Sequence, residues 1–257
     1  MKRLITGLIL APLIAGVVLW GPDPLFLAVL VGVALVCFHE YSALVAGCGV
    51  RRPGPVGYVA GLLVLLFPQE PFLLLVIATL LALALALGEH NLASGVPRAG
   101  ALLVGVVYIF GALRFAVALR AKHPYWLLFA VGLCWLGDTA AYYAGKALGR
   151  HKLAPRISPA KSWEGAVASV VASLVAGWIY LGKLMPEVSP LEALGLSLAA
   201  NLAGQVGDLA ESALKRGAGV KDSSNLLPGH GGWLDRVDAN LFSLPTVYAL
   251  LALLGRL

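Results

Sequence analysis

About nine apolar runs follow one another along this chain with little polar sequence between them, and no layered water-soluble fold can bury them all. They fall at about 4–20, 25–47, 56–68, 71–88, 98–118, 125–147, 164–183, 190–212 and 238–255. A membrane-spanning helix needs roughly 20 such residues. Backbone groups in lipid must pair internally, and the sequence lacks the alternation of a barrel strand, so helices are the remaining choice. The 257 residues are 60% hydrophobic and 12% charged, with a mean hydropathy of +0.87, which excludes an ordinary soluble domain. The expectation is an all-α, polytopic integral membrane protein of about nine transmembrane helices. The third run is short and is followed by Pro68 and Pro71, so it reads as half-spanning or fused with its neighbour.

Lys2 and Arg3 before the first run could open a secretory signal, but the run is long for one and no small-residue cleavage site precedes Gly21-Pro22. A retained first helix is expected. Cys37, Cys48 and Cys134 lie in or near apolar runs without metal-like spacing and imply no disulfide framework. With nine spans and a cytoplasmic N-terminus, 14 basic residues fall inside: Lys2, Arg3, Arg51, Arg52, Arg98, Lys146, Arg150, Lys152, Arg156, Lys161, Lys215, Arg216, Lys221 and Arg236. Only 4 fall outside, namely Arg120, Lys122, Lys183 and Arg256, while Arg114 sits within a span. That asymmetry orients the chain. The net charge of +6 then reflects topology and attraction to anionic lipid rather than binding to nucleic acid.

Against this background the stretch Asp208–Asp238 is anomalous. It packs ten ionisable residues into one short span. If the preceding apolar run continues as a helix, Asp208, Glu211, Ser212 and Lys215 share one face at i, i+3, i+4 and i+7. Glycines then interrupt the chain, and glycine permits both positive φ and close backbone approach to an anion. Asp235 and Asp238 follow at i, i+3, before the last apolar run. Carboxylate pairs flanking a basic, glycine-rich loop suggest a site for a metal and a polyphosphate.

A second polar stretch runs from Gly137 to Gly165. Asp138 comes late in an apolar run, with Tyr142 and Lys146 at i+4 and i+8. The following loop carries Arg150, His151, Lys152, Arg156 and Lys161, and a helix is expected to begin near Ser158-Pro159 or Ser162. Such a helix start beside Lys161 would seat a phosphate. His39-Glu40 also interrupts an apolar run, as a polar contact at a substrate cavity or as a structural bond between helices.

Ser212-x-x-Lys215-Arg216, Lys221-Asp222, Leu227-Pro228-Gly229-His230-Gly231-Gly232 and Asp235-Arg236-x-Asp238 together resemble the signature of phosphatidate cytidylyltransferases. The likeness covers about 27 positions at fixed spacing, and Trp233 stands where that family usually has an aliphatic residue or Phe. The GD…AY…G…GR…SPxKxWEG pattern of the second stretch recurs in the same family. The resemblance implies transfer of cytidylyl from CTP to phosphatidic acid in phospholipid biosynthesis. On that basis Lys161, Asp208 and Asp235 are candidate catalytic residues. Asp208, Asp235, Asp238 and Asp138 are candidate ligands for Mg²⁺, with the presence of an accompanying monovalent cation left open. Ser212, Lys215, Arg216, Lys221, Asp222, His230, Gly231, Gly232 and Arg236 are candidate substrate contacts. One transmembrane domain is expected over 1–257, with N-terminal helices in 1–120 and the catalytic helices and loops in 121–257. The resemblance also favours a homodimer in the cell's inner (plasma) membrane. A CTP-dependent polyprenol or phytol kinase, or an ion or solute transporter, would share parts of this pattern. The DG…AR…G…D…D motif of CDP-alcohol phosphotransferases is missing.

The topology is testable. In a cysteine-free background, a Ser224→Cys thiol should resist an impermeant maleimide in intact cells and react after permeabilisation. Labelling of intact cells would reverse the orientation.

Overall fold

The computed structural model describes residues 12–67, 69–89, 91–226 and 231–257. His230 and the start of the first apolar run lie outside them. Residues 12–20 form the described part of helix α1. Nine further helices follow: α2 (Asp23–Gly47), α3 (Gly54–Leu66), α4 (Pro71–Ala86), α5 (Gly95–Gly105), α6 (Ala112–Lys122), α7 (Pro124–Leu148), α8 (Trp163–Leu184), α9 (Pro190–Gly217) and α10 (Leu234–Leu253). A π-helical turn, Val106–Gly111, joins α5 to α6, so that Leu92–Lys122 is one continuous rod. Between α7 and α8 lies an antiparallel hairpin of β1 (Lys152–Ala154) and β2 (Ser158–Ser162).

Helix number and span number differ. Among the described residues, four helices are long and apolar enough to cross a membrane: Asp23–Gly47, Leu92–Lys122, Pro124–Leu148 and Trp163–Leu184. Helix α3 has 13 residues and α4 has 16. At about 1.5 Å per residue they reach only about 20 and 24 Å, short of a hydrocarbon core of about 30 Å. Helix α9 is long enough, but Asn201, Gln205, Asp208, Glu211 and Lys215 dilute its apolar character. The acids at the start of α10 do the same. The architecture is therefore that of a multi-pass helical membrane protein, with four such helices among the described residues.

The chain divides into two compact units. One holds 21–114 and 214–236 together with 12–17, and the other holds 18–20, 115–213 and 237–257. The first is built on aromatic packing over glycine. Phe38 lies edge-on to Tyr58 at 4.8 Å and against Phe110 at 5.3 Å between ring centroids. A Cβ on Gly61 would come within 2.1 Å of the Phe110 ring, and one on Gly105 within 2.5 Å of Tyr41.

The second unit is turned inside out relative to a soluble bundle. On α8, Val167, Val171, Val175 and Trp178 are exposed, while Gly165, Ser169, Ser173 and Gly177 are buried at four-residue intervals. Lipid tolerates the apolar face, and small residues let neighbouring backbones approach. Into that seam α9 sends Asn201, whose Nδ2 donates to Ser169 Oγ and Ser173 Oγ, each at 2.8 Å. Gln205 Nε2 donates to Asn201 Oδ1 at 2.7 Å and to the Ala166 carbonyl at 3.3 Å. Helix α7 closes the seam with Gly137, where a Cβ would stand 2.6 Å from Ser169 Oγ and 2.7 Å from Asn201 Nδ2.

Gly137→Val should therefore displace the Asn201 network, although valine suits a lipid-exposed helix. The expected loss is roughly 1–3 kcal/mol, read as a lower thermal midpoint of the detergent-extracted protein. An unchanged midpoint would show that the seam is loose.

Candidate active site

Lys161 owes its place to the hairpin. Ser162 caps α8, its Oγ accepting from Gly165 N–H at 3.2 Å. The His151 amide and ring nitrogen both bond Glu164 in the first turn of α8, the ring Nδ1 at 2.7 Å from Oε1. Trp163 N–H returns to the His151 carbonyl at 2.9 Å. Of the two expected helix starts the structure uses Ser162, and Ser158-Pro159 lies in β2 instead. Lys161, one residue before the cap, is thereby held with its Nζ 2.6 Å from Asp208 Oδ2 on α9. Both partners keep about a quarter of their side-chain surface, 25% and 28%, so an incoming anion can reach the pair.

Asp208 also accepts from Ser212 Oγ at 3.3 Å, one turn further along α9. Glu211 and Asp238 are buried. The close meeting of α9 with α10 brings these acids together, since a Cβ on Gly207 would come within 2.6 Å of the Asp238 carbonyl oxygen. The Asp238 carboxyl lies within electrostatic reach of Asp208, Glu211 and Asp138. Asp138 itself is exposed on α7. Four acids thus gather in the second unit, as the spacing at 208–211 anticipated.

The acids and glycines of the 214–236 segment are arranged differently. Lys215 pairs with Asp235 Oδ1, and both side chains are nearly buried, at 10% and 5% exposure. Asp235 Oδ2 accepts from Ser223 N–H at 2.9 Å, Ser223 Oγ at 2.8 Å and Gly232 N–H at 2.7 Å. Both oxygens meet donors of the protein itself, so Asp235 ties residues 215, 223 and 232 together. The glycines have a matching role. Gly231 adopts φ +78°, and a Cβ there would meet Asp235 Oδ2 at 2.6 Å. A Cβ on Gly232 would meet Ser223 Oγ at 2.1 Å and both Glu40 oxygens at 2.5 Å. The backbone N–H of Gly232 donates to Asp235 Oδ2.

Burial opposes ionisation of Asp235, yet the Lys215 ammonium and the amides of Gly232 and Ser223 outweigh it and hold its carboxyl below the ordinary aspartate range. Arg216, Lys221, Asp222 and Arg236 are exposed, and Arg216 Nη1 donates to the Val220 carbonyl at 2.9 Å. Three further polar residues take part that motif and charge did not single out, Asn201, Gln205 and Ser223. Asn201 and Gln205 continue the Asp208 face backwards at i−7 and i−3, a signal present in the spacing. His39, by contrast, is exposed, its Nδ1 3.3 Å from the Tyr58 hydroxyl.

The acids of the second unit have the chemistry of a magnesium site, since hard carboxylate oxygens are what that ion takes. Among the described residues no three His, Cys, Asp or Glu side chains close into a complete cage. Magnesium keeps several of its waters and binds through one or two carboxylates plus substrate phosphates, so Asp208 and Asp238, with Asp138 at the rim, fit it in that open manner.

The cytidylyltransferase family model matches residues 1–254 of this chain. A phosphatidate cytidylyltransferase of Bacillus subtilis is 33% identical over 264 aligned positions, covering 98% of this chain and 97% of that protein. One from Staphylococcus aureus is 33% identical over 235 positions, 86% of this chain and 90% of its own length. One from Haemophilus influenzae is 38% identical over 148 positions, 54% of this chain and 51% of its length.

The Asp235 arrangement sets a pH dependence. A depressed carboxyl contributes stability that is complete above the unfolded aspartate value of about 3.9 and is lost as pH falls through the folded value. Asp235→Asn should lower the thermal midpoint at neutral pH, by up to about 3–5 kcal/mol in stability because Lys215 loses its partner. It should also flatten the acid limb of the midpoint-against-pH curve. Parallel curves for the two proteins would show that the charge of Asp235 does not matter.

Proposed function

The chain belongs to the cytidylyltransferase family, and on that premise we propose how its polar residues transfer a cytidylyl group from CTP to phosphatidic acid. It is a membrane-embedded nucleotidyltransferase. A phosphate oxygen of the lipid forms a bond to the α-phosphorus of CTP. The bond from that phosphorus to the α–β bridging oxygen breaks, and its electron pair leaves with pyrophosphate. The lipid phosphate is already ionised, so no side chain need act as general base. The difficulty is electrostatic: two polyanions must meet beside carboxylates.

The observation that carries this reading is the accessible Lys161–Asp208 pair next to Asp238. A phosphate competes with Asp208 for the Lys161 ammonium, and Ser212 keeps Asp208 oriented while it does so. Bound Mg²⁺ would neutralise the acids and the developing charge on pyrophosphate. Asp208 and Asp238 would hold it, with Asp138 beside them. Within the first unit Lys215 is held in place by Asp235, and the exposed Arg216, Lys221 and Arg236 are suited to phosphate or headgroup contacts. The basic asymmetry supports a cytoplasmic N-terminus and catalytic face, with the C-terminus opposite, in the inner membrane. Assembly as a homodimer rests on the family resemblance.

Purified protein in detergent, given CTP labelled in cytidine, phosphatidic acid and Mg²⁺, should move label into the lipid extract. Label released wholly as CDP would instead indicate a kinase. Lys161→Ala should keep the fold and reduce kcat/KM by roughly 10²-fold, the usual scale for losing one electrostatic contact to a transition state. Unchanged kinetics would place the hairpin outside the chemistry.

A further inference from the structure

Glu40 is 1% exposed, in the C-terminal third of the largely apolar helix α2 and next to His39. Its carboxyl meets four donor groups, all from one distant segment, one of them the Ser223 hydroxyl whose single proton it shares with Asp235. Ser224 Oγ donates to Oε1 at 2.6 Å and Trp233 N–H at 3.1 Å. Leu234 N–H donates to Oε2 at 2.7 Å, and Ser223 Oγ lies 2.9 Å from the same oxygen. An acceptor-only carboxylate suits such a set, whereas an amide would turn an NH₂ group towards donors. Glu40 therefore joins both ends of the 223–234 loop, and its charge sits at the N-terminus of α10, where the helix dipole favours an anion.

Ser223 links this anchor to the cluster already described. Its hydroxyl is within bonding distance of Glu40 and of Asp235, and Asp235 in turn holds Lys215. We propose that Glu40 is a positioning residue: through Ser223, Ser224 and the amides of residues 233 and 234, it fixes the loop that sets Asp235 and Lys215 for cytidylyl transfer. It touches no substrate. The catalytic part of this statement rests on the function proposed above, while the anchoring part does not.

The test compares Glu40→Gln and Glu40→Asp in the full-length detergent-purified protein. Each also carries Leu226→Cys in a cysteine-free background, because Leu226 is 57% exposed on the anchored loop. Two quantities are read: the maleimide reaction rate of the introduced thiol, and kcat for lipid cytidylylation. Glu40→Gln should accelerate labelling several-fold and lower kcat roughly 10- to 100-fold, the scale expected when reacting groups are misplaced by about 1 Å. Glu40→Asp keeps the charge and should fall between Gln and the unaltered protein. A packing role predicts the reverse order, since Gln nearly matches Glu in shape.

Gln equal to or better than Asp, an unchanged labelling rate, or turnover within twofold of the parent would each overturn the proposal. Should Glu40→Gln fail to extract folded, the Ser223→Ala/Ser224→Ala pair breaks the anchor from the loop side, and the same two readings decide. Failure of the function itself would appear separately, as absence of lipid-borne label with the unaltered protein.

Discussion

Charge placed in a membrane protein must be answered by other charge or by donors from the same chain, because hydrocarbon supplies neither. Two pairs of opposite sign meet that demand here in different ways. Lys215 and Asp235 are sunk and saturated, with extra donors completing the carboxylate. Lys161 and Asp208 remain partly open. The first arrangement stabilises a shape, and the second leaves its ammonium available for exchange. An enzyme that accepts a polyanion needs both, since a cluster of loose charges would collapse on itself or recruit headgroups.

The inside-out character of the second unit follows from the same constraint. Asn201 and Gln205 would be unremarkable on a soluble surface, but here they are turned inward between Ser169, Ser173 and Gly137, where each donor finds an acceptor. Helix α9 then carries polarity continuously from Ser197 to Lys215 along one side. Its exposed Leu198, Leu202 and Val206 keep the other side apolar. A single helix thus carries both the buried amide network and the Asp208 partner of Lys161.

Much of this was legible from residue order. Apolar runs announced a helical membrane protein, and the i, i+3, i+4, i+7 face of α9 grouped Asp208, Glu211, Ser212 and Lys215 as its helix does. Helix length was less legible, because the third apolar run forms a helix of only 13 residues. Nor could spacing show how differently two neighbouring carboxylates are held. Asp235 and Asp238 are three residues apart, yet Asp235 is ringed by donors from residues 12 and 20 positions away in sequence. At Gly231 and Gly232 the close approach expected of glycine is made to the carboxylates of Asp235 and Glu40.

That last feature bears on how such a loop can change over evolutionary time. Any side chain at position 232 must enter volume already held by Glu40 and Ser223. Shortening Glu40 first would make room, but would strand the hydroxyl of Ser224 and two amides. No single replacement at either position leaves a satisfied loop, so the acid and the glycine form an epistatic lock across nearly two hundred residues of chain. A lineage can leave this arrangement only by altering both ends within the same short history. Local rearrangement at either end alone is closed to it.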